Sequence, residues 1–223
     1  MSRAFFITVE GIDGSGKSTQ IERIREYFEG IGFKVYVTRE PGGTVLSERI
    51  REILLDTASS EMEALTELFL FLASRAQHTL EVIKPRLERG EVVISDRYAD
   101  SSIAFQGGGR YLDKEMIDSL NKIATVNITP DLTILLDIAP EIAMERTRGK
   151  KGILPFPQLD RLEREKLEFH RRVRQTYIEW AKKHPERIKP VSARGTPEEI
   201  WSEIKKELDR LIDKSRARQG NST

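Results

Sequence analysis

The stretch Glu10-Gly11-Ile12-Asp13-Gly14-Ser15-Gly16-Lys17-Ser18-Thr19 decides the reading of the chain, because an apolar segment (residues 4–9) runs into it and an amphipathic one leaves it. Gly11-x4-Gly16-Lys17-Ser18 satisfies every fixed position of the phosphate-binding loop that joins a strand to a helix. Glycines let successive backbone N–H groups turn inward around an anion, and a helix begun at Lys17 directs its positive dipole end at the same place. Gly11, Ile12, Asp13, Gly14, Ser15, Gly16, Lys17, Ser18 and Thr19 are thereby candidates to hold the phosphates of ATP. Lys17 would reach the outer phosphates, and the Ser18 hydroxyl would be a ligand of Mg²⁺. A dinucleotide fingerprint read from Gly14 fails, since its third glycine position holds Thr19.

Outward from the loop, short β-branched runs alternate with helical stretches, the signature of a parallel sheet covered on both faces. Five strands are expected at residues 5–10, 34–38, 92–96, 132–137 and 188–191. Helices are expected at 17–28, 45–55, 114–124, 141–148, 160–184 and 197–212, with a long one opening at a capping box, Ser60-Glu61-Met62-Glu63, and running to about residue 87. The last helix has Thr196 as N-cap, Pro197 behind it and Glu199 at the third position. The polar tail beyond residue 214 is expected to fray. One α/β domain over residues 1–214 accounts for the 223-residue length.

Composition removes several function classes. Lys+Arg number 37 against 36 Asp+Glu, so the net charge of +1 organises no nucleic-acid surface and no anionic-membrane surface. The longest apolar run, residues 68–73, is far short of a membrane span. The N-terminus reads directly as a strand followed by the loop, with no room for a signal peptide, which makes a cytoplasmic location the expectation. There is no cysteine, and His78, His170 and His184 are scattered without metal-ligand spacing.

Further constellations fall at the carboxyl edge of the expected sheet, where open α/β sheets bind ligands. Arg39-Glu40-Pro41-Gly42-Gly43-Thr44 follows the second strand. Asp96-Arg97-Tyr98 ends the third, placing a carboxylate able to hold Mg²⁺-bound water beside a guanidinium able to grip a phosphate bidentately. Phe71 and Arg75 are one helical turn apart and share a face, a ring and a donor suited to a planar base. Residues 101–110 read as a polar, glycine-rich loop. Between Arg148 and Asp160 two glycines and two prolines interrupt any helix, and a mobile lid at about residues 146–161 is the expectation.

Taken together these residues resemble the thymidylate kinase family, in the family's order from Glu10 through Asp160-Arg161. The resemblance implies phosphorylation of dTMP to dTDP with ATP and Mg²⁺, in a P-loop fold with a lid, by a homodimer packed through helices that include the apolar face of residues 65–72. It assigns Asp13 to the 3′-hydroxyl of the nucleotide, Phe71 to stacking on thymine, and Arg75 to its O4. Arg97 with Arg39 would hold the acceptor phosphate, and Ser101, Ser102 and Gln106 would line base and sugar. Ser18 and Asp96 would serve the metal, Asp96 through water. Residues 12–15 of the loop carry no arginine, so the catalytic one is expected in the lid, from Arg148 or Arg161. Arg146 would stack on adenine, with the Ser192-Ala193-Arg194-Gly195 loop closing that pocket. Two alternatives share the phosphate-binding features: a kinase of the same fold for another nucleoside monophosphate, and a nucleotide-driven ATPase switch. A guanine-nucleotide switch is disfavoured, because Asn121-Lys122-Ile123-Ala124 lacks the aspartate of Asn-Lys-x-Asp.

Overall fold

A computed structural model describes residues 4–151 and 160–220, the side chains of 148–151 and 218–220 excepted. Its centre is a five-stranded, all-parallel sheet made of β1 (Phe6–Glu10), β2 (Val35–Arg39), β3 (Val92–Asp96), β4 (Leu132–Asp137) and β5 (Ile188–Ser192), in spatial order β2-β3-β1-β4-β5. The three central strands are almost wholly buried, which is why they read as near-continuous apolar runs rather than alternating ones. Register pairs both Val9 and Arg39 with Asp96. The ends of β1, β2 and β3 therefore reach one rim together.

Helix α1 (Lys17–Gly30) packs on β1, β2 and β3 and against a long C-terminal helix, Pro197–Gly220. The helix Val45–Leu55, α2, lies along α3 (Ala64–His78). After α3 the chain widens into a π-helical turn at Thr79–Ile83 and closes with α4 (Lys84–Glu88). Beyond β3, α5 (Ala99–Ser102) continues into a second π-helical stretch, Ile103–Gly109. Helices α6 (Lys114–Ala124), α7 (Pro140–Lys151), α8 (Leu167–Lys183) and α9 (Pro197–Gly220) complete the described chain.

Four local expectations are corrected. The long helix does not open at Ser60: Asp56 caps a short 3-10 turn by accepting from Ala58 N, Met62 N donates to Ser59 O, and helix begins only at Ala64. Residues 160–166 are turns rather than helix, because the Asp160 carboxylate accepts from Leu162 N and Glu163 N and ties the segment into an Asx turn. The tail does not fray at 214, since Ile212 and Ser215 are buried and α9 continues to Gly220. Residues 101–109 are helical, not loop. Their glycines serve close packing: a Cβ on Gly108 would lie 2.1 Å from Thr176 Oγ1, and one on Gly109 2.4 Å from the Phe169 ring, so α8 can lie against this stretch only without side chains there. Residues 152–159, most of the expected lid, fall outside the described residues. The N-terminus of α9 forms as expected, with Glu199 N donating to Thr196 Oγ1 and Thr196 N to the Glu199 carboxylate.

Candidate active site

Two cavities open along the rim, and Asp13, Lys17 and Asp96 line both. One follows the phosphate loop and the start of α1 through Gly14, Ser15, Gly16, Ser18 and Thr19, and is walled by Arg146, Thr147, Glu163 and Gly195. Gly11 and Ile12 do not line it. Their carbonyls instead accept from Lys17 Nζ at 3.2 and 3.4 Å, which holds the lysine over the loop. Arg146 donates to Ala193 O at 2.9 Å, so its guanidinium sits where the chain leaves β5.

The other cavity gathers every residue expected to bind the acceptor: Asp13, Arg39, Phe71, Arg75, Arg97, Ser101, Ser102 and Gln106. Arg39, at the exposed mouth, pairs with Glu48. Arg97 Nη2 donates to Asp13 Oδ1 at 2.8 Å, and its guanidinium lies 5.0 Å from the centre of the Phe105 ring. Burial pushes the Asp13 carboxyl up, but Arg97 and Lys17 overcome that push and hold it well below the usual carboxylate range. Burial lowers Arg97, but the charges of Asp13, Tyr177, Asp96 and Glu10 together outweigh that push and raise it.

Arg75 departs most from its expected role. It is fully buried, and four of its five N–H groups are committed: Nε to Glu40 at 2.8 Å, Nη1 to Ser102 and Asn121, Nη2 to Tyr98 O. One Nη2 hydrogen is left for the cavity it lines. Arg161 lines neither cavity. Its Nε donates to Leu54 O, its Nη1 pairs with the buried Glu67 at 2.7 Å, and its buried Nη2 has no partner. The Arg148 side chain lies outside the described residues, although its backbone belongs to α7.

The family profile described as thymidylate kinase matches residues 9–204. The chain belongs to the thymidylate kinase family. A thymidylate kinase of Maridesulfovibrio salexigens is 48% identical over 202 residues, 90% of this chain and 93% of that one. One of Pelobacter propionicus is 46% identical over 200 residues, 90% and 91%. Among solved structures, the thymidylate kinase of Ehrlichia chaffeensis superposes with a TM-score of 0.74 at 34% identity, covering 93% of this chain and 99% of that one. The chain is accordingly a phosphotransferase that phosphorylates dTMP in a P-loop kinase fold.

For a member of the thymidylate kinase family the donors present suit a weakly held Mg²⁺. Asp96 Oδ1 is buried without a hydrogen-bond partner, and Ser18 is exposed at the loop cavity that Asp96 also lines. Among the described residues no group of three or more His, Cys, Asp or Glu could hold a metal by itself, which fits an ion that keeps most of its shell in water and phosphate.

Several site residues have no sequence motif. Arg51 of α2 lines the same cavity as Phe71 and Arg97 and donates to Pro41 O at 2.7 Å. Burial, followed by repulsion from Arg39, lowers it. On sequence it is one of several charges on an amphipathic helix. Glu67 is fully buried and receives Gln106, Arg110 and Arg161. Glu10 is fully buried at the end of the central strand; a carboxylate at that position, between an apolar strand and the loop, was the available signal.

Proposed function

We propose that the loop cavity takes ATP with Mg²⁺, that the second cavity takes dTMP, and that the γ-phosphoryl group crosses at Asp13, Lys17 and Asp96. The observation that carries this reading is the sharing of those three residues by two otherwise separate cavities. Both nucleotides are anionic, so the task is charge compensation and in-line placement. Lys17 bears on the donor phosphates, while Arg97, Arg39 and Arg51 bear on the acceptor phosphate. The second pKa of a phosphate monoester is about 6, so the acceptor is largely dianionic at neutral pH and no side chain needs to remove a proton.

Phe71 supplies the face for thymine and Arg75 its one uncommitted hydrogen, with Ser101, Ser102 and Gln106 on base and sugar. Asp13, clamped between Arg97 and Lys17, presents an ionised carboxylate to the 3′-hydroxyl. Ser18 and Asp96 would hold Mg²⁺, which when bound supplies charge neutralisation across the transferring phosphates. Arg146 faces the adenine end. Of the two lid arginines, Arg148 fills the catalytic role at the end of α7. Arg161, tied to Glu67 and Leu54, anchors the far end of the lid. Residues 1–214 act as one domain, in the cytoplasm; no helix among the described residues is long and apolar enough to cross a membrane. A homodimer is supported by exposed apolar side chains on α2 (Leu46, Ile53) and α3 (Leu65, Phe69).

The test is ADP release from ATP with dTMP, other nucleoside monophosphates, or no acceptor, each with and without Mg²⁺. Release that needs both dTMP and Mg²⁺ supports the reading. Acceptor-independent hydrolysis, or equal rates with every monophosphate, contradicts it.

A further inference from the structure

The Arg97 backbone is held at φ 71°, in the left-handed region that a long side chain rarely adopts. Three hydrogen bonds bracket it. Its N–H donates to Val9 O at 3.0 Å, its carbonyl accepts from Ser95 Oγ at 2.7 Å, and the next N–H, of Tyr98, donates to Glu10 Oε1 at 2.8 Å. The other carboxylate oxygen, Glu10 Oε2, accepts from Ser101 Oγ at 2.6 Å and from the Tyr177 hydroxyl at 2.7 Å. With their hydrogens turned to Glu10, those two hydroxyls offer only lone pairs to the side of the guanidinium they face, where Arg97 Nη1 lies 3.5 Å from Ser101 Oγ and 3.4 Å from the Tyr177 oxygen. Glu10 is fully buried and lines neither cavity.

From this geometry we infer that Glu10 is a positioning residue for the acceptor phosphate: one oxygen fixes the turn that presents Arg97, and the other orients Ser101 and Tyr177 as acceptors that aim its guanidinium. The inference rests on Arg97 holding the acceptor phosphate. It extends that role to two residues away from the cavities, Glu10 on β1 and Tyr177 on α8, and it makes the direction of the hydroxyl hydrogens the operative feature. In Glu10→Gln the Tyr98 N–H can still find the amide oxygen. The amide NH₂ then faces Ser101 and Tyr177 and both hydroxyls must turn: one can donate to the other, their oxygens being 2.9 Å apart, and the remaining hydrogen points at the N–H groups of Arg97.

The experiment is steady-state kinetics of Glu10→Gln, Arg97→Ala and the double variant at about pH 8.5, where the Glu10 carboxyl, pushed up to about 7 by burial, is ionised, varying dTMP and ATP separately. Glu10→Gln is expected to raise the KM for dTMP about tenfold, the loss of one charge-assisted hydrogen bond, while the KM for ATP stays within about twofold. In the Arg97→Ala background the same substitution is expected to cost nothing further in kcat/KM for dTMP, because its target is gone. Equal rises in both KM values, or losses that add in the double variant, overturn the inference and leave Glu10 a structural residue. Should Glu10→Gln not fold, Tyr177→Phe removes one of the two oriented acceptors; a rise of about threefold in the KM for dTMP alone supports the inference, and unchanged dTMP kinetics overturn it. Unaltered dTMP kinetics in Arg97→Ala overturn the Arg97 assignment and this inference with it. A loss there without one in Glu10→Gln overturns this inference alone.

Discussion

The two cavities are built on opposite principles. On the donor side the anion site is backbone: a glycine loop and the first turn of α1, with Lys17 resting on the loop's own carbonyls and Ser18 and Thr19 exposed. On the acceptor side it is side chain: Arg39, Arg51, Arg75 and Arg97 come from β2, α2, α3 and the turn after β3, and each is tied to a fixed partner. Backbone N–H groups recognise any polyphosphate, so that wall needs few particular side chains. A wall of guanidinium groups repels itself, and it stands only because carboxylates such as Glu40 and Asp13 neutralise it. With the cavities filled as proposed, selectivity for one nucleotide belongs to the acceptor wall, and generic phosphate chemistry to the donor wall.

Substitutions can break this division. The largest effect is expected for Lys17→Ala, a fall in kcat on the order of 10²- to 10³-fold with the KM for dTMP little changed, read from steady-state rates with each substrate varied. A rise confined to the KM for dTMP would place Lys17 on the wrong wall. Arg51→Ala comes next. It should raise the KM for dTMP about tenfold and spare that for ATP, since a cation facing the acceptor phosphate is lost. Phe71→Ala should cost on the order of 1 to 3 kcal/mol of thymine binding, measured by calorimetry with dTMP, and should narrow discrimination between nucleotides. Unaltered discrimination would show that the ring is only packing.

The smallest expected effect is on stability against pH. Burial, then the neighbouring Asp100 charge, push Glu10 up to about 7 from an ordinary 4.5, against the lowering influence of Arg97, Ser101 and Tyr177. Between those values the folded chain keeps a proton that the unfolded chain has released, so this group's contribution to stability declines as pH rises through the window and has fully declined above about 7. Burial holds His170 down, which moves stability the opposite way at the upper end of the same window. The difference between the profiles of the native chain and Glu10→Gln isolates the carboxylate: the native chain should lose ground to the variant from about pH 5 to 7. Parallel profiles would show that Glu10 is not protonated there.

Legibility in the sequence follows the same division. The loop was readable because its function is a backbone conformation, and glycine spacing records conformation directly. The strands were readable because burial on both faces leaves β-branched runs. Arg97 and Phe71 were readable through motif and helical spacing. Arg51 was not, because nothing local separates a cavity arginine from a solvated one on α2. Arg75 lines the cavity beside Phe71, but its near-complete commitment to Glu40, Ser102, Asn121 and Tyr98 depends on residues far apart in the chain and left no local signal. The glycines at 107–109 misled most: a run of three suggests flexibility, whereas here Gly108 and Gly109 let α8 approach and Gly107 faces Lys114 and Ile117 of α6. The capping pattern at Ser60 misled because the chain turns there instead: Asp56 caps the preceding 3-10 turn through Ala58 N, and the Met62 N–H donates to Ser59 O.

The two nucleotides are proposed to meet end to end over Asp13, Lys17 and Asp96. The most direct test of this arrangement is inhibition by a single molecule that joins adenosine to thymidine through a phosphate chain, assayed against each substrate in turn. Competition with both ATP and dTMP at one molecule per chain is expected, weakened by Lys17→Ala and by Arg97→Ala alike. Competition with only one substrate, or weakening by only one of those substitutions, would contradict it.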